Sequence, residues 1–339
     1  MNKPDCSIII PAYNTEDTIS RSIRSIFTDS GGDYRYEVLI VDDGSSDNTA
    51  QIVRDLSEEY PCIRLIQKEN GGVSSARNMG LNAAQGHFVY LMDADDELIR
   101  PALDKIVRRA YSVGADMMIA DYEQVKDDSG EAEYVAADLP ANETLDEAFI
   151  RTKILPLFVD GDTRTLSSVW NKLYVRRLIS DAGLTFNEGR THGEDWEFNI
   201  QFLQKAKTIY YDNILLYRYE NRGIPNLSKY KKSLAQGYAH SYRLLSDMIR
   251  TYSLDENDRL IQKKLENKIA YNFISVLKMD EVSFEEKKNL LRMEEAKAVF
   301  SDLADSDRDT LAALQLSRKD KAAFGLLSRG MLQLALKLI

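Results

Sequence analysis

The feature that most constrains this chain is an alternation over residues 6–121, where short apolar runs give way to segments of helical spacing. "CSIIIPAY" (6–13), "EVLIV" (37–41), "IRLIQ" (63–67), "FVYLM" (88–92) and "DMMIAD" (116–121) read as strands. Between them, "TEDTISRSIRSIF" (15–27) places Ile19, Ile23 and Ile26 on one helical face, with acids in its first turn. A second helix turns Ile52, Val53 and Leu56 inward, and "SSARNMGLNAAQ" (74–85) and "PALDKIVRRAY" (101–111) read as two more. Continuous apolar strands joined through helices require a mainly parallel sheet flanked by helices, an α/β fold. Ligands of such sheets sit beyond the carboxyl ends of the strands. That edge collects Tyr13 and Asn14, Asp42 and Asp43, Asn70 and Gly71, and Asp93 to Asp96 from separate strands.

From residue 123 the pattern loosens. "VKDDSGEAEYVAADLPAN" is polar and turn-rich, a loop or a hairpin, and "TIYYDNILLYRYE" (208–220) reads as a strand pair joined at Asp212-Asn213. Beyond Tyr230 the chain looks helical nearly to its end. The 339 residues therefore divide into a domain over 1–225, with halves 1–122 and 123–225, and a helical C-terminal region over 226–339.

The net charge of -10 argues against a nucleic-acid binder, which needs Lys and Arg against phosphates. It leaves nucleotides open, because a metal ion can supply positive charge locally. Cys6 and Cys62 form no CxxC, so neither a disulfide framework nor a thiolate metal site is expected. No run of eighteen apolar residues spans a membrane. Met1 to Asp5 lead at once into a strand, without a signal-peptide core, so the expected location is cytoplasmic.

The chemistry concentrates in "FVYLMDADDEL" (88–98), where Asp93, Asp95, Asp96 and Glu97 crowd the end of a strand. Like charges this close repel unless something positive offsets them. Acids capping the next helix explain one or two of them. Asp93 and Asp95, split by a small Ala94, suit Mg²⁺ or Mn²⁺, which takes a few protein oxygens and completes its shell with phosphate. Asp42 and Asp43 open a Gly-Ser-Ser turn, as an Asx turn or as acceptors from a base or ribose. "NGGVSSARNMG" (70–80) lacks a phosphate-loop spacing but puts backbone N–H groups, Asn70 and Arg77 near the same edge. Arg77 reads equally as a diphosphate contact or a surface arginine. In "HGEDWEF" (192–198), Glu194 and Asp195 either charge a helix start or supply a base for an attacking hydroxyl. His192 reads as an ordinary exposed histidine and His87 as structural, and no Ser/His/Asp arrangement is present.

"SIIIPAYN" (7–14), "EVLIVDDGSSDNT" (37–49), "NGGVSSARNMGLNAAQG" (70–86), "YLMDADD" (90–96), "WNKLY" (170–174) and "GED" (193–195) together resemble family 2 glycosyltransferases of the GT-A fold. The bacterial enzymes of exopolysaccharide, capsule or teichoic-acid synthesis are the most similar in flavour. The resemblance implies inverting transfer of a sugar from a nucleotide diphosphate, usually UDP, to a hydroxyl of a glycan or lipid-linked acceptor. It implies that Pro11, Tyr13 and Asp43, with Asp42 beside it, surround the uracil and ribose. Asp93 and Asp95 match the family's DxD, Asp93 toward the ribose and Asp95 toward the metal, with Asp96 a further candidate ligand. Asp195 matches the family's base. Glu194 orients it or touches the acceptor, and Trp170 either stacks on an acceptor sugar or packs in the core. No QxxRW-type motif follows, which implies single additions rather than polymerisation.

The tail "RKDKAAFGLLSRGMLQLALKLI" (318–339) is basic, with Phe324, Leu327, Leu334 and Leu338 at helical spacing. Such a helix lies on an anionic membrane surface or packs on the domain or in a homodimer. Two rivals remain: a sugar-nucleotide pyrophosphorylase, whose Gly-rich basic loop "PAYNTED" does not match, and a non-catalytic nucleotide-sugar-binding module.

Overall fold

A computed structural model describes residues 3–28, 34–126, 130–160, 164–190 and 193–221, then the helix Phe284–Arg292 and a few isolated positions. The chain divides into two compact units, Met1–Leu155 with Thr163–Ile224, and Pro156–Asp162 with Pro225–Ile339. The basic tail 318–339 lies, but for single positions, outside the described residues.

In the first unit the chain runs β1 (Cys6–Ala12), α1 (Ile19–Phe27), β2 (Tyr36–Asp42), α2 (Thr49–Glu59), β3 (Ile63–Gln67), α3 (Val73–Ala83) and β4 (Phe88–Leu91). It continues through β5 (Glu97–Leu98), α4 (Arg100–Val113), β6 (Met117–Lys126), β7 (Ala132–Val135) and β8 (Thr144–Asp146). After α5 (Glu147–Phe149) and a π-helical turn, Ile150–Ile154, comes α6 (Leu157–Asp160), which belongs to the second unit. The first unit resumes with α7 (Arg164–Ser167), β9 (Lys172–Val175), α8 (Arg176–Asp181), α9 (Glu194–Leu203) and β10 (Thr208–Asn221).

The strands form one sheet in the order β3-β2-β1-β4-β9-β6-β10-β5, with β7 on β6 and β8 on β10. β3, β2, β1 and β4 are mutually parallel, as their two-sided apolar sequences require. Ile8, Ile9 and Ile10 of β1 are fully buried, each worth roughly 1.5–3 kcal/mol. α3 lies close against β1 because Gly80 carries no side chain: a Cβ there would fall 2.3 Å from Ile9 Cγ2. β9 enters antiparallel between β4 and β6, and the mixed sheet continues through β10.

The polar stretch after residue 123 includes a hairpin, with β7 antiparallel to β6. The expected strand pair over 208–220 is instead one strand. β10 stays parallel to β6 throughout, with register shifts between Asp212 and Leu215 and between Leu215 and Tyr217. Asp212-Asn213 carries the residues of a turn but lies at a bulge, which bends a strand without reversing it. Neither cysteine is in a disulfide; Cys6 is in the core.

Candidate active site

β4 delivers the acid loop to the carboxyl edge, and two elements fix its course. From the start of α1, Thr18 Oγ1, at its N-cap, donates to the Ala94 carbonyl (2.9 Å) and Arg21 Nη2 to the Asp95 carbonyl (2.9 Å). Ser22 Oγ reaches the carbonyls of Asp93 and Asp96. From β10, Tyr217 Oη accepts from the Asp93 backbone N–H (3.0 Å) and donates to the Asp96 carboxylate (2.7 Å). The second Asp96 oxygen accepts from Glu220 N at 2.8 Å. Asp96 is thus fully buried with both oxygens engaged, in the wall of the site. Burial, then the charges of Asp93 and Asp95, push its carboxyl up to about 8. Trp170 is in the wall too, stacked on Tyr217 and Tyr219 with ring centroids 4.7 and 5.4 Å away.

The positive partner of the acids is Arg77. Its side chain, only 4% exposed, runs from α3 to Asp93 (2.9 Å), Asp195 (2.6 Å) and Glu194 (3.6 Å), with Cζ 5.2 Å from the centre of the Phe186 ring. One guanidinium therefore joins the end of β4 to the first turn of α9. α9 starts at Gly193, whose φ of 77° is left-handed, and its first turn carries Glu194, Asp195 and Glu197, which complement the helix dipole. The acids that charge this helix start are also the ones that Arg77 gathers. Asp195 is pushed up to about 7, first by burial. Arg77 opposes that rise, while Glu194 and Asp93 add to it.

At the β2 edge both aspartates are buried. Asp42 accepts from Ser45 N and Gln67 Nε2, each at 3.0 Å, and so pins the Gly-Ser-Ser turn to β3. Asp43 gathers the next loop, accepting from Lys68 Nζ (2.6 Å), Gly71 N (3.0 Å) and Gly72 N (2.7 Å). Asn70 Nδ2 donates to the Asp43 carbonyl at 3.0 Å. Pro11 is buried in β1, and Tyr13 beyond it is 52% exposed. The structure thus joins Arg77, Asp93, Glu194 and Asp195 directly, and separately ties Asn70 to Asp43.

Lys68, Tyr217 and the contact of α1 with the acid loop were not singled out from sequence. Thr18 and Ser22, polar residues buried beside the isoleucines, and Arg21 carry that contact. His87 is structural as expected, stacked on Tyr111 with centroids 5.2 Å apart, and His192 lies outside the described residues.

Among the described residues, no three His, Cys, Asp or Glu side chains are grouped to hold a metal by themselves. The acid loop offers two carboxylates, Asp93 and Asp95, both partly exposed. That donor set fits Mg²⁺ or Mn²⁺, which are bound through one or two carboxylates plus substrate phosphate and water.

Comparison with known proteins agrees with this layout. The family model described as "Glycosyl transferase family 2" matches residues 7–178. The uncharacterized glycosyltransferase EpsJ of Bacillus subtilis is 29% identical over 253 residues, 74% of this chain and 71% of EpsJ. The succinoglycan biosynthesis protein ExoO of Rhizobium meliloti is 30% identical over 57% of this chain and 54% of ExoO. In fold, S. aureus TarS 1–349 superposes with a TM-score of 0.62 at 20% identity, covering 98% of this chain and 90% of that one. TarS structures have been determined with UDP and with UDP-GlcNAc.

Proposed function

The chain belongs to glycosyl transferase family 2, and from that premise we propose that it moves a sugar, with inversion, from a UDP-sugar to a hydroxyl of a glycan or lipid-linked acceptor in cell-surface polysaccharide synthesis. The observation that carries this reading is the reach of Arg77, which puts Asp93 of the strand edge and Asp195 of α9 on one guanidinium. A donor-side carboxylate and an acceptor-side base are thereby neighbours.

On this reading Tyr13, over Pro11, lies against the base. Asp43 already accepts three hydrogen bonds and has room for one more, from a base N–H. Asp42 stiffens the turn beneath the ribose, toward which Asp93 leans. Asn70 and Arg77 border the diphosphate. Asp95, with Asp93 beside it, would hold Mg²⁺ or Mn²⁺, which supplies positive charge beside the diphosphate. Asp195 takes the proton of the acceptor hydroxyl as that oxygen bonds to the anomeric carbon. The bond from that carbon to the diphosphate oxygen breaks on the opposite face. Glu194 orients the base or the acceptor. The donor half is 1–122 and the acceptor half 123–225.

No described helix is long and apolar enough to cross a membrane. We place the enzyme in the cytoplasm, where the basic tail 318–339 either meets anionic lipid at the inner face of the membrane or serves packing on the domain or in a homodimer. The donor site is tested by calorimetric titration of UDP, with and without Mn²⁺, on wild type and Asp95→Ala. Metal-dependent binding that the variant loses is expected. Failure of UDP to bind wild type with Mn²⁺ present would remove the UDP donor.

A further inference from the structure

Lys172, the first residue of β9, is fully buried, and among the described residues no carboxylate forms an ion pair with it. Its Nζ donates to the Thr165 carbonyl (2.7 Å), Asn171 Oδ1 (2.7 Å) and the Ser168 carbonyl. Three acceptors require three hydrogens, so the geometry is that of the ammonium ion. Burial pulls this lysine well below its ordinary range, and the charge of Asp195 is what pulls it back up.

A second residue holds the same carbonyl from the other side. Asn199 Nδ2 donates to Ser168 O (3.1 Å) and Ser167 O (2.8 Å), and Asn199 Oδ1 accepts from Tyr174 Oη of β9 at 2.8 Å. Asn199 lies one turn along α9 from Asp195, on the same face. The end of α7 is therefore clamped between the sheet, through Lys172, and the helix that carries Asp195, through Asn199.

Building on the assignment of Asp195 as the base, we infer that Lys172 is a positioning residue for it: through Ser168 and Asn199 it fixes α9, and its ammonium joins Arg77 in offsetting the carboxylate's charge. The charged groups acting on Asp195 are then Arg77 from α3, Lys172 from β9, Glu194 of α9 itself and Asp93 from the β4 edge.

The test is the pH profile of kcat/KM for wild type, Lys172→Gln and Asn199→Leu, with folding followed by thermal melts. Removing a positive charge disfavours the ionised base, so Lys172→Gln is expected to move the acid limb up by about one pH unit. UDP binding should change less than twofold. Asn199→Leu keeps the charge and cuts the tie, and should lower kcat with the limb unmoved. Loss of activity in folded Lys172→Gln without a shifted limb overturns the inference. If that variant does not fold, ¹⁵N NMR of the Lys172 side chain in wild type decides: an ammonium at pH 7 is expected, and a neutral amine overturns the inference. Wild type inert with every donor would sink the transferase reading instead, and the NMR result would still stand.

Discussion

The strand edge of β2 and β4 and the first turn of α9 are both acidic, yet their carboxylates are held differently. At the edge, Asp42, Asp43 and Asp96 each accept N–H or O–H donors from the surrounding frame. Asp195 has no such frame: among the described residues its hydrogen bond comes from Arg77, which it shares with Asp93. The donors at the edge hold Asp42 and Asp43 in place in the frame of the site, and Asp96, held the same way, is pushed up to about 8 by burial. A carboxylate held by one shared guanidinium keeps lone pairs for an incoming hydroxyl proton, which suits the base proposed. Asp93 stands between the two kinds, with its backbone fixed by Tyr217 and its side chain on Arg77.

Substitutions can break this contrast. Arg77→Met strips the shared charge from three acids, and loss of one partner of a buried ionic cluster costs about 3–5 kcal/mol. Denaturant unfolding should show it, and a loss below about 1 kcal/mol would mean that the acids do not depend on Arg77. Tyr217→Phe leaves Asp93 N and Asp96 short of a partner in the frame, at a cost of about 1–3 kcal/mol. Its effect should fall on stability and UDP affinity, with the pH profile unchanged. Lys68→Met loosens the loop held by Asp43 and should weaken UDP binding about tenfold, on the scale of one hydrogen bond to a charged group. The kcat should stay within about twofold.

The contrast is sharpened by pH. With Asp195 pushed up to about 7, chiefly by burial, the proton-accepting form is depleted below that pH. The kcat/KM of the free enzyme should therefore rise with pH through a midpoint near 7. A flat profile from pH 5 to 8 would point to another base.

Sequence showed residues 1–122 clearly and residues 123–221 poorly, for physical reasons. Strands β1, β2 and β4 are mostly apolar on both faces, β3 less so with Arg64 and Gln67 exposed, and amphipathic helices separate them, so period assigns them. β9 is a four-residue strand inserted antiparallel between β4 and β6, a pairing that no local pattern announces. Asp212-Asn213 offered turn chemistry where the chain only bulges. Arg77 reads equally as a diphosphate contact or a surface arginine because Asp195, its ion-pair partner, lies 118 positions away in sequence. Asp96 looked like its neighbours until Tyr217 and Glu220, from β10, claimed both its oxygens.

The division between binding and proton removal is tested most directly by Asp195→Asn. Sugar transfer from UDP-GlcNAc or another UDP-sugar and calorimetric UDP binding with Mn²⁺ would be measured on the same preparation. The expected result is transfer reduced about 10²–10⁴-fold, the usual worth of a general base, with UDP affinity within about twofold of wild type. Transfer retained within a few-fold of wild type would contradict the assignment of Asp195 as the base.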